Sequence, residues 1–286
     1  MLKVTFFGVR GSTPCCGPNV DRYGGNTACV VLEVPGEDPI VCDMGTGLRS
    51  YGATQAVDGS YRGTALVSHL HWDHVQGLPF FPPVLVPGAR FDVYAPVQED
   101  GRSVREAFDF FMQPPYFPIR VADLPSDITM LDCPEGEMKV GTALVTARLI
   151  PHIGNTLGYR IAWGGATVAY LPDHQQPLDG SLTTTDAVLE LADGVDLLIH
   201  DAQYTPPEFA RKSHWGHCTH EYAVFVAKEA GAKRLALFHH DPARDDESLD
   251  EVLRCLQTSL RESGTADSGV ELLAAAEGLT MSFEDG

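Results

Sequence analysis

The sequence is short of positive charge: 20 Lys and Arg stand against 39 Asp and Glu, a formal net charge of -19 over 286 residues. The average field therefore repels a polyanion, and no local basic run offsets it, so binding along RNA or DNA is not expected. Long hydrophobic runs are missing too. The longest near-apolar stretch, Leu78 to Pro87, is broken by Pro79, Pro82, Pro83 and Pro87, which excludes a membrane-crossing helix. Neither a basic stretch nor a small-residue cleavage site accompanies Met1 to Gly8, which read as a strand entering a glycine turn, so no export signal is expected. The seven cysteines, Cys15, Cys16, Cys29, Cys42, Cys133, Cys218 and Cys255, show neither CxxC pairing nor regular spacing. That excludes a disulfide framework and fits a reducing cytoplasm. No linker rich in Ser, Gly or charge divides the chain, so residues 1–286 are expected to form one domain, and 44% hydrophobic content is enough for a large core.

Short apolar runs rich in Val, Ile and Phe recur throughout. They predict strands at Val4 to Val9, Ala28 to Val34, Ile40 to Cys42, Thr64 to Val67, Phe91 to Tyr94 and Ala143 to Ile150. The second half adds Gly158 to Trp163, Ala166 to Leu171, Asp196 to Ile199, Arg234 to Phe238 and Val270 to Ala275. One helix is predicted from about Asp245 to Glu262, where Leu249, Val252, Leu253, Leu256 and Leu260 share a face and acidic residues fill the first turn. Another begins at Thr219 and ends near Gly231. Clusters at Gly8 to Pro18, Gln113 to Pro118 and Thr205 to Pro207 read as loops. Strands followed by helices in each half predict an α/β (α+β) architecture of two packed sheets with helices outside.

The strongest local signal is His69-Leu70-His71-Trp72-Asp73-His74, an H-x-H-x-D-H run directly after a predicted strand. His69 and His71 alternate along an extended segment and can face one cation, while the turn at Asp73 and His74 sends two more donors to a neighbouring one. Four candidate ligands in six residues have little packing rationale.

This run resembles that of the metallo-β-lactamase hydrolase superfamily, and later segments continue the resemblance in order. They are Ile150-Pro151-His152 before Gly158-Tyr159-Arg160-Ile161, Leu171-Pro172-Asp173, and the strand Leu235 to Phe238 before His239. The resemblance implies an αββα sandwich of two mixed sheets. It implies further that His69, His71 and His152 hold one divalent metal ion, that Asp73, His74 and His239 hold a second, and that Asp173 bridges them. His240, next to His239, is an alternative last ligand. Asp43 matches the superfamily's first aspartate, which supports the ligand loops without binding metal. Imidazole and carboxylate donors without thiolate suit zinc, and also manganese, iron or cobalt. The fold's di-iron redox members carry Glu where this chain has His71, which disfavours redox chemistry.

The ligand set implies hydrolysis without naming the bond. Leu197 to Tyr204, with Asp201 in the acidic place, and Trp215-Gly216-His217-Cys218-Thr219 resemble two segments of tRNase Z. A wider resemblance, including His74-Val75-Gln76-Gly77-Leu78, is to phosphodiesterases acting on phosphoribosyl 1,2-cyclic phosphate and on cyclic nucleotides. The tRNA-gripping arm of tRNase Z falls between the strand at Ile161 and the aspartate at Asp173, where this chain has room only for a hairpin. A small anionic phosphodiester is thus the expected substrate, with a cytoplasmic setting and, by resemblance, a homodimer. In the expected chemistry, paired cations acidify a water and neutralise phosphate oxygens, while His217, oriented by Asp201, protonates the leaving group. A carboxylic ester, lactone or thioester hydrolase is the alternative on the same scaffold. His200, His214 and His220 are expected at the surface or behind the ligands. Two further readings stay open. Arg10 either reaches a phosphate oxygen or sits exposed in its turn. Tyr116 and Phe117 either stack over the cleft on a base or sugar, or pack on the core or a dimer contact.

Overall fold

The structure, a computed structural model, describes residues 1–262 and 269–284; the rest of the 1–286 span lies outside the described residues. The first half supplies β1 (Leu2–Gly8), β2 (Cys29–Glu33), β3 (Ile40–Cys42), β4 (Arg62–Leu66), β5 (Arg90–Ala95) and β6 (Asp127–Asp132). The second supplies β7 (Gly136–Val140), β8 (Ala143–Leu149), β9 (Leu157–Trp163), β10 (Ala166–Leu171), β11 (Leu197–Asp201), β12 (Arg234–Phe238) and β13 (Glu271–Ala274). A last strand, β14 (Thr280–Phe283), returns to pair with β1. Two seven-stranded sheets result, ordered β14-β1-β2-β3-β4-β5-β6 and β13-β12-β11-β10-β9-β8-β7. Each is mixed. The first is antiparallel from β14 to β3 and parallel from β3 to β6; the second is antiparallel from β7 to β10 and parallel from β10 to β13.

Side-chain alternation places each sheet between two apolar layers. Along β2, Val30 and Leu32 enter the layer between the sheets, where they join Phe6, Tyr159, Ile161, Tyr170 and Phe238. Cys29 and Val31 face the other way, into a layer with Tyr51, Phe81, Phe91 and Phe108. Burial on both faces is why such strands read as unbroken hydrophobic runs. The outer faces are covered by helices, α1 (Gly47–Gly52), α2 (Trp72–Val75) and α3 (Val104–Phe111) in the first half, and α4 (Asp186–Ala192), α5 (Pro206–Lys212), α6 (His220–Glu229) and α7 (Asp246–Glu262) in the second. α6 starts as expected, with the Thr219 side chain accepting from the Tyr222 amide. The expected loop at Thr205 to Pro207 is instead the start of α5. Thr205 and Glu208 form a capping box, and Pro206 and Pro207 occupy the first helical positions, where an amide proton would have no partner in the helix.

The candidate ligands all follow strand ends at one edge of the sandwich, His69 to His74 after β4, His152 after β8, Asp173 after β10 and His239 after β12, and the supporting Asp43 follows β3 at the same edge. β9 turns directly into β10 through the Trp163 and Ala166 pair, so the expected hairpin is present. All seven cysteines are free, and among the described residues no helix is long and apolar enough to cross a membrane.

Arg10 follows neither of its sequence readings. Its side chain is fully buried, and its guanidinium donates to the carbonyl oxygens of Gly24 (2.7 Å), Asp241 (3.2 Å) and Arg244 (2.7 Å). Through Nε and Nη1 the cation clamps the loop after β1 to the loop after β12. Arg10→Met should therefore lower stability by roughly 2–4 kcal/mol, because buried carbonyls lose charged donors. Urea unfolding checks this; an unchanged midpoint with a raised KM would return the residue to substrate binding.

Candidate metal centre

α2 is one helical turn, and its geometry aims the ligands. His71 is the extended residue before it, with φ -63° and ψ 150°, and Asp73 and His74 enter the helix on its buried face. His69 and His71 converge, as alternation along an extended segment requires: His69 Nε2 lies 2.8 Å from His71 Nδ1, and His152 Nε2 lies 3.4 Å from the same atom. On the other side, Asp73 Oδ2 is 3.3 Å from His74 Nε2 and 3.1 Å from His239 Nε2. Asp173 stands between the two sets. Its Oδ2 faces His69 Nε2 at 3.7 Å and His152 Nε2 at 3.5 Å. Its Oδ1 faces His74 Nε2 and His239 Nε2, both at 3.2 Å.

Each set is compact enough to surround a cation. Donor atoms of His69, His71, His152 and Asp173 lie within 4.8 Å of one another, and so do those of Asp73, His74 and His239. His240 belongs to neither, since its Nε2 donates to the Ala275 carbonyl at 2.9 Å on the far side of the strand end.

A shell of oxygen acceptors orients the rings. Asp43 accepts from His74 Nδ1 (2.7 Å), Ser68 Oγ (2.9 Å), the Ser68 amide (2.7 Å) and the Tyr170 hydroxyl (2.8 Å). His152 Nδ1 donates to the Gly216 carbonyl at 2.6 Å, and His239 Nδ1 to Gln203 Oε1 at 2.9 Å. With Nδ1–H engaged outward, each Nε2 lone pair faces the centre, the arrangement metal-binding histidines use. Two glycines permit the close approach. A Cβ on Gly216, whose φ is 93°, would overlap the His152 ring, and one on Gly11 would overlap the ring of His239.

The electrostatics fit a resident cation. Burial pushes the imidazoles of His69 and His71 down, and that of His152 to about 4, so these rings are neutral and offer lone pairs at pH 7. Burial also opposes charge on His74 and His239, yet Asp73 and Asp173 raise both, with Asp43 adding to the effect at His74. The carboxyls of Asp73 and Asp173 are held well below the usual range by these histidines, although burial pushes the other way. The second set thus holds buried negative charge that demands a positive partner. His74 Nε2 and Asp173 Oδ1, buried and 3.2 Å apart, have no hydrogen bond in proper alignment. Orphaned buried polar atoms of this kind are costly unless something else satisfies them.

His217 and Asp201 meet beside this cluster. His217 Nδ1 donates to Asp201 Oδ2 at 2.9 Å, and Asp201 is fixed by the amides of His174 (3.1 Å) and Gln203 (3.0 Å). The His217 ring stacks on His239, centroids 4.9 Å apart, and donor atoms of Asp173, His217 and His239 also lie within 4.8 Å of one another. His214 is exposed, whereas His200 and His220 are buried, so the surface reading fails for those two. His200 Nδ1 donates to the Asp201 carbonyl at 2.7 Å and its Nε2 contacts His174 Nδ1 at 2.9 Å. Sequence reasoning missed Ser12 and Gln203. The Ser12 amide donates to Asp73 Oδ2 at 2.6 Å, and Gln203 links His239 to the Ser12 hydroxyl (3.3 Å). The glycine turn after β1 therefore does reach the centre, through a backbone amide two residues beyond Arg10.

Elemental analysis of variants separates the two neighbouring histidines: His239→Ala should lose bound metal, and His240→Ala should retain the wild-type content. Zinc added to metal-free protein at pH 7 should release protons, since the neighbouring carboxylates favour the charged form of His74 and His239, whereas a ring that binds metal must be neutral. An indicator dye in weak buffer measures this.

Residues 40–240 match the β-lactamase superfamily domain. The chain is 25% identical to ribonuclease Z of Haloarcula marismortui, a match covering 88% of this chain and 91% of that protein. Among solved structures, the metallo-β-lactamase fold protein YhfI from Bacillus subtilis superposes with a TM-score of 0.71 at 19% identity, covering 98% of each chain. A diphosphatase from the PhnP family superposes with a TM-score of 0.68 at 20% identity, covering 99% of this chain and 98% of that one. With the αββα sandwich and the His and Asp clusters at its edge, the chain belongs to the β-lactamase superfamily and is a metal-dependent hydrolase.

Proposed function

We propose that this chain is a single-domain binuclear phosphodiesterase acting on a small cyclic phosphate or cyclic nucleotide. The observation that carries the reading is the His217 and Asp201 pair beside the two ligand sets. His69, His71 and His152 would hold one divalent ion and Asp73, His74 and His239 the other, with Asp173 shared; imidazole and carboxylate donors suit zinc first, then manganese or iron. Bound there, such ions supply the positive charge that acidifies water and offsets the phosphate oxygens.

The remaining chemistry belongs to the chain. An alkoxide leaving phosphorus is a strong base and needs a proton. His217 is placed to supply it: Nδ1 is pinned to Asp201, which leaves Nε2 as the atom that donates to the departing oxygen. Asp201 in turn cannot rotate, because two backbone amides hold it. Water is limited by burial: His217, Asp73, Asp173 and His239 are all nearly inaccessible.

Two observations support a small substrate over tRNA. The site of the ribonuclease arm holds only the β9–β10 hairpin, and the chain's net charge is -19. Free cysteines throughout are consistent with a reducing cytoplasm.

His217→Ala should lower kcat by roughly 10²- to 10⁴-fold on a cyclic nucleotide, whose leaving group is an alkoxide. The loss should be far smaller on bis-p-nitrophenyl phosphate, whose leaving group needs no proton. Metal content should not change. Equal losses on both substrates, accompanied by lost metal, would make His217 a ligand and reject the acid role. A panel of 2',3'- and 3',5'-cyclic nucleotides, phosphoribosyl cyclic phosphate, pre-tRNA and a lactone tests the substrate class.

A further inference from the structure

Around the metal centre, the side chains that carry no ligand atom are unevenly distributed. α2 turns Asp73 and His74 inward, while Trp72 and Gln76, four positions apart on one helical face, border a cavity of about 410 Å³. The cavity therefore begins one residue from two candidate ligands, His71 and Asp73. Its far wall comes from the end of α3 and the proline-rich loop after it, through Phe110, Tyr116 and Phe117, with Phe80 between. No Lys, Arg, Asp or Glu lines it, in a chain with 39 acidic residues.

These aromatics are not hidden. Trp72 is 76% exposed, Tyr116 73%, Phe110 58% and Phe80 54%. The two sequence readings for Tyr116 and Phe117 divide accordingly: Phe117 packs edge-on against Phe80 at 5.9 Å, whereas Tyr116 stands in solvent near Phe110. The Arg102 guanidinium lies over the Phe110 ring, 5.3 Å from its centroid. Contiguous exposed apolar surface of this kind marks a binding site more often than chance. Aromatic walls favour a flat ring, which they meet edge-on or offset-stacked.

We infer that this cavity receives an uncharged aromatic ring on the substrate, so that the enzyme selects its phosphoester by a flat ring and not by additional phosphate or sugar groups. The inference rests on the phosphodiesterase reading and adds to it. Trp72 stands between the candidate ligands His71 and Asp73 in the chain, which makes a substrate group the occupant: a ring lodged against Trp72 belongs to a molecule whose phosphate is held at the centre. The ring can be a hydrocarbon aryl group or a nucleobase, and Gln76 supplies the lining's one side-chain amide for a polar edge.

Calorimetric titration of the metal-loaded protein with product-like ligands tests this without turnover. Phenylphosphonate should bind at least tenfold more tightly than methylphosphonate. The double variant Phe110→Ala, Tyr116→Ala, altered at two exposed positions distant in sequence from every candidate ligand, should abolish that ratio while leaving methylphosphonate affinity unchanged. Thymidine 5'-monophosphate compared with ribose 5-phosphate reports the nucleobase arm on the same scale. A ratio near one, or a ratio the double variant does not alter, overturns the inference. So does a wild-type dimer in light scattering that the double variant dissociates without any change in ligand preference, which would give the face to a second copy of the chain. Failure of the underlying reading looks different: the phenyl preference and its loss in the variant would persist while no phosphodiester is hydrolysed.

Discussion

The centre is organised by one buried carboxylate. Asp173 presents its two oxygens to two separate groups of histidines, and burial makes its charge intolerable without positive partners. Every neighbouring choice follows from that demand. Three imidazoles on one side are kept neutral by burial, while two on the other are drawn toward the charged state by Asp73 and Asp173. The two sides are chemically different before any ion arrives.

Holding that charge in place takes a rigid frame. Asp43 is the hub on one side, where it joins β3 to the loop after β4 and to Tyr170 of β10, and so ties the two sheets together behind His74. Its φ of 61° and that of His239, 57°, are left-handed values that non-glycine residues adopt at a cost. Strain of this kind persists only where surrounding bonds over-determine it, and both residues are buried and fully engaged.

Much of this was legible in the sequence because the candidate ligands travel with strand ends. His69, His71, Asp73 and His74 announce themselves by density, and His152, Asp173 and His239 by position after apolar runs whose double-sided burial leaves little polar interruption. What escaped notice has physical reasons. β6 and β7 sit at sheet edges, half exposed, so Met138 and Val140 alternate with charged Glu137 and Lys139 and resemble loop. Pro206 and Pro207 looked like loop residues because proline disfavours helix interiors, although it fits a helix start well. Ser12 acts through its backbone amide, which no side-chain pattern can signal, and Arg10 was judged by charge when its hydrogen bonds all go to backbone carbonyls.

The short segment holding Gly216 and His217 links two jobs usually treated apart. Its carbonyl steers one imidazole of the first candidate ligand set, and the ring of the next residue is held against Asp201. Gly216 cannot shift without turning the His152 ring, so any flexing here would move that imidazole and the His217 contact with Asp201 together. Such a loop cannot serve as an independent gate, and selection acting on either contact must act on both.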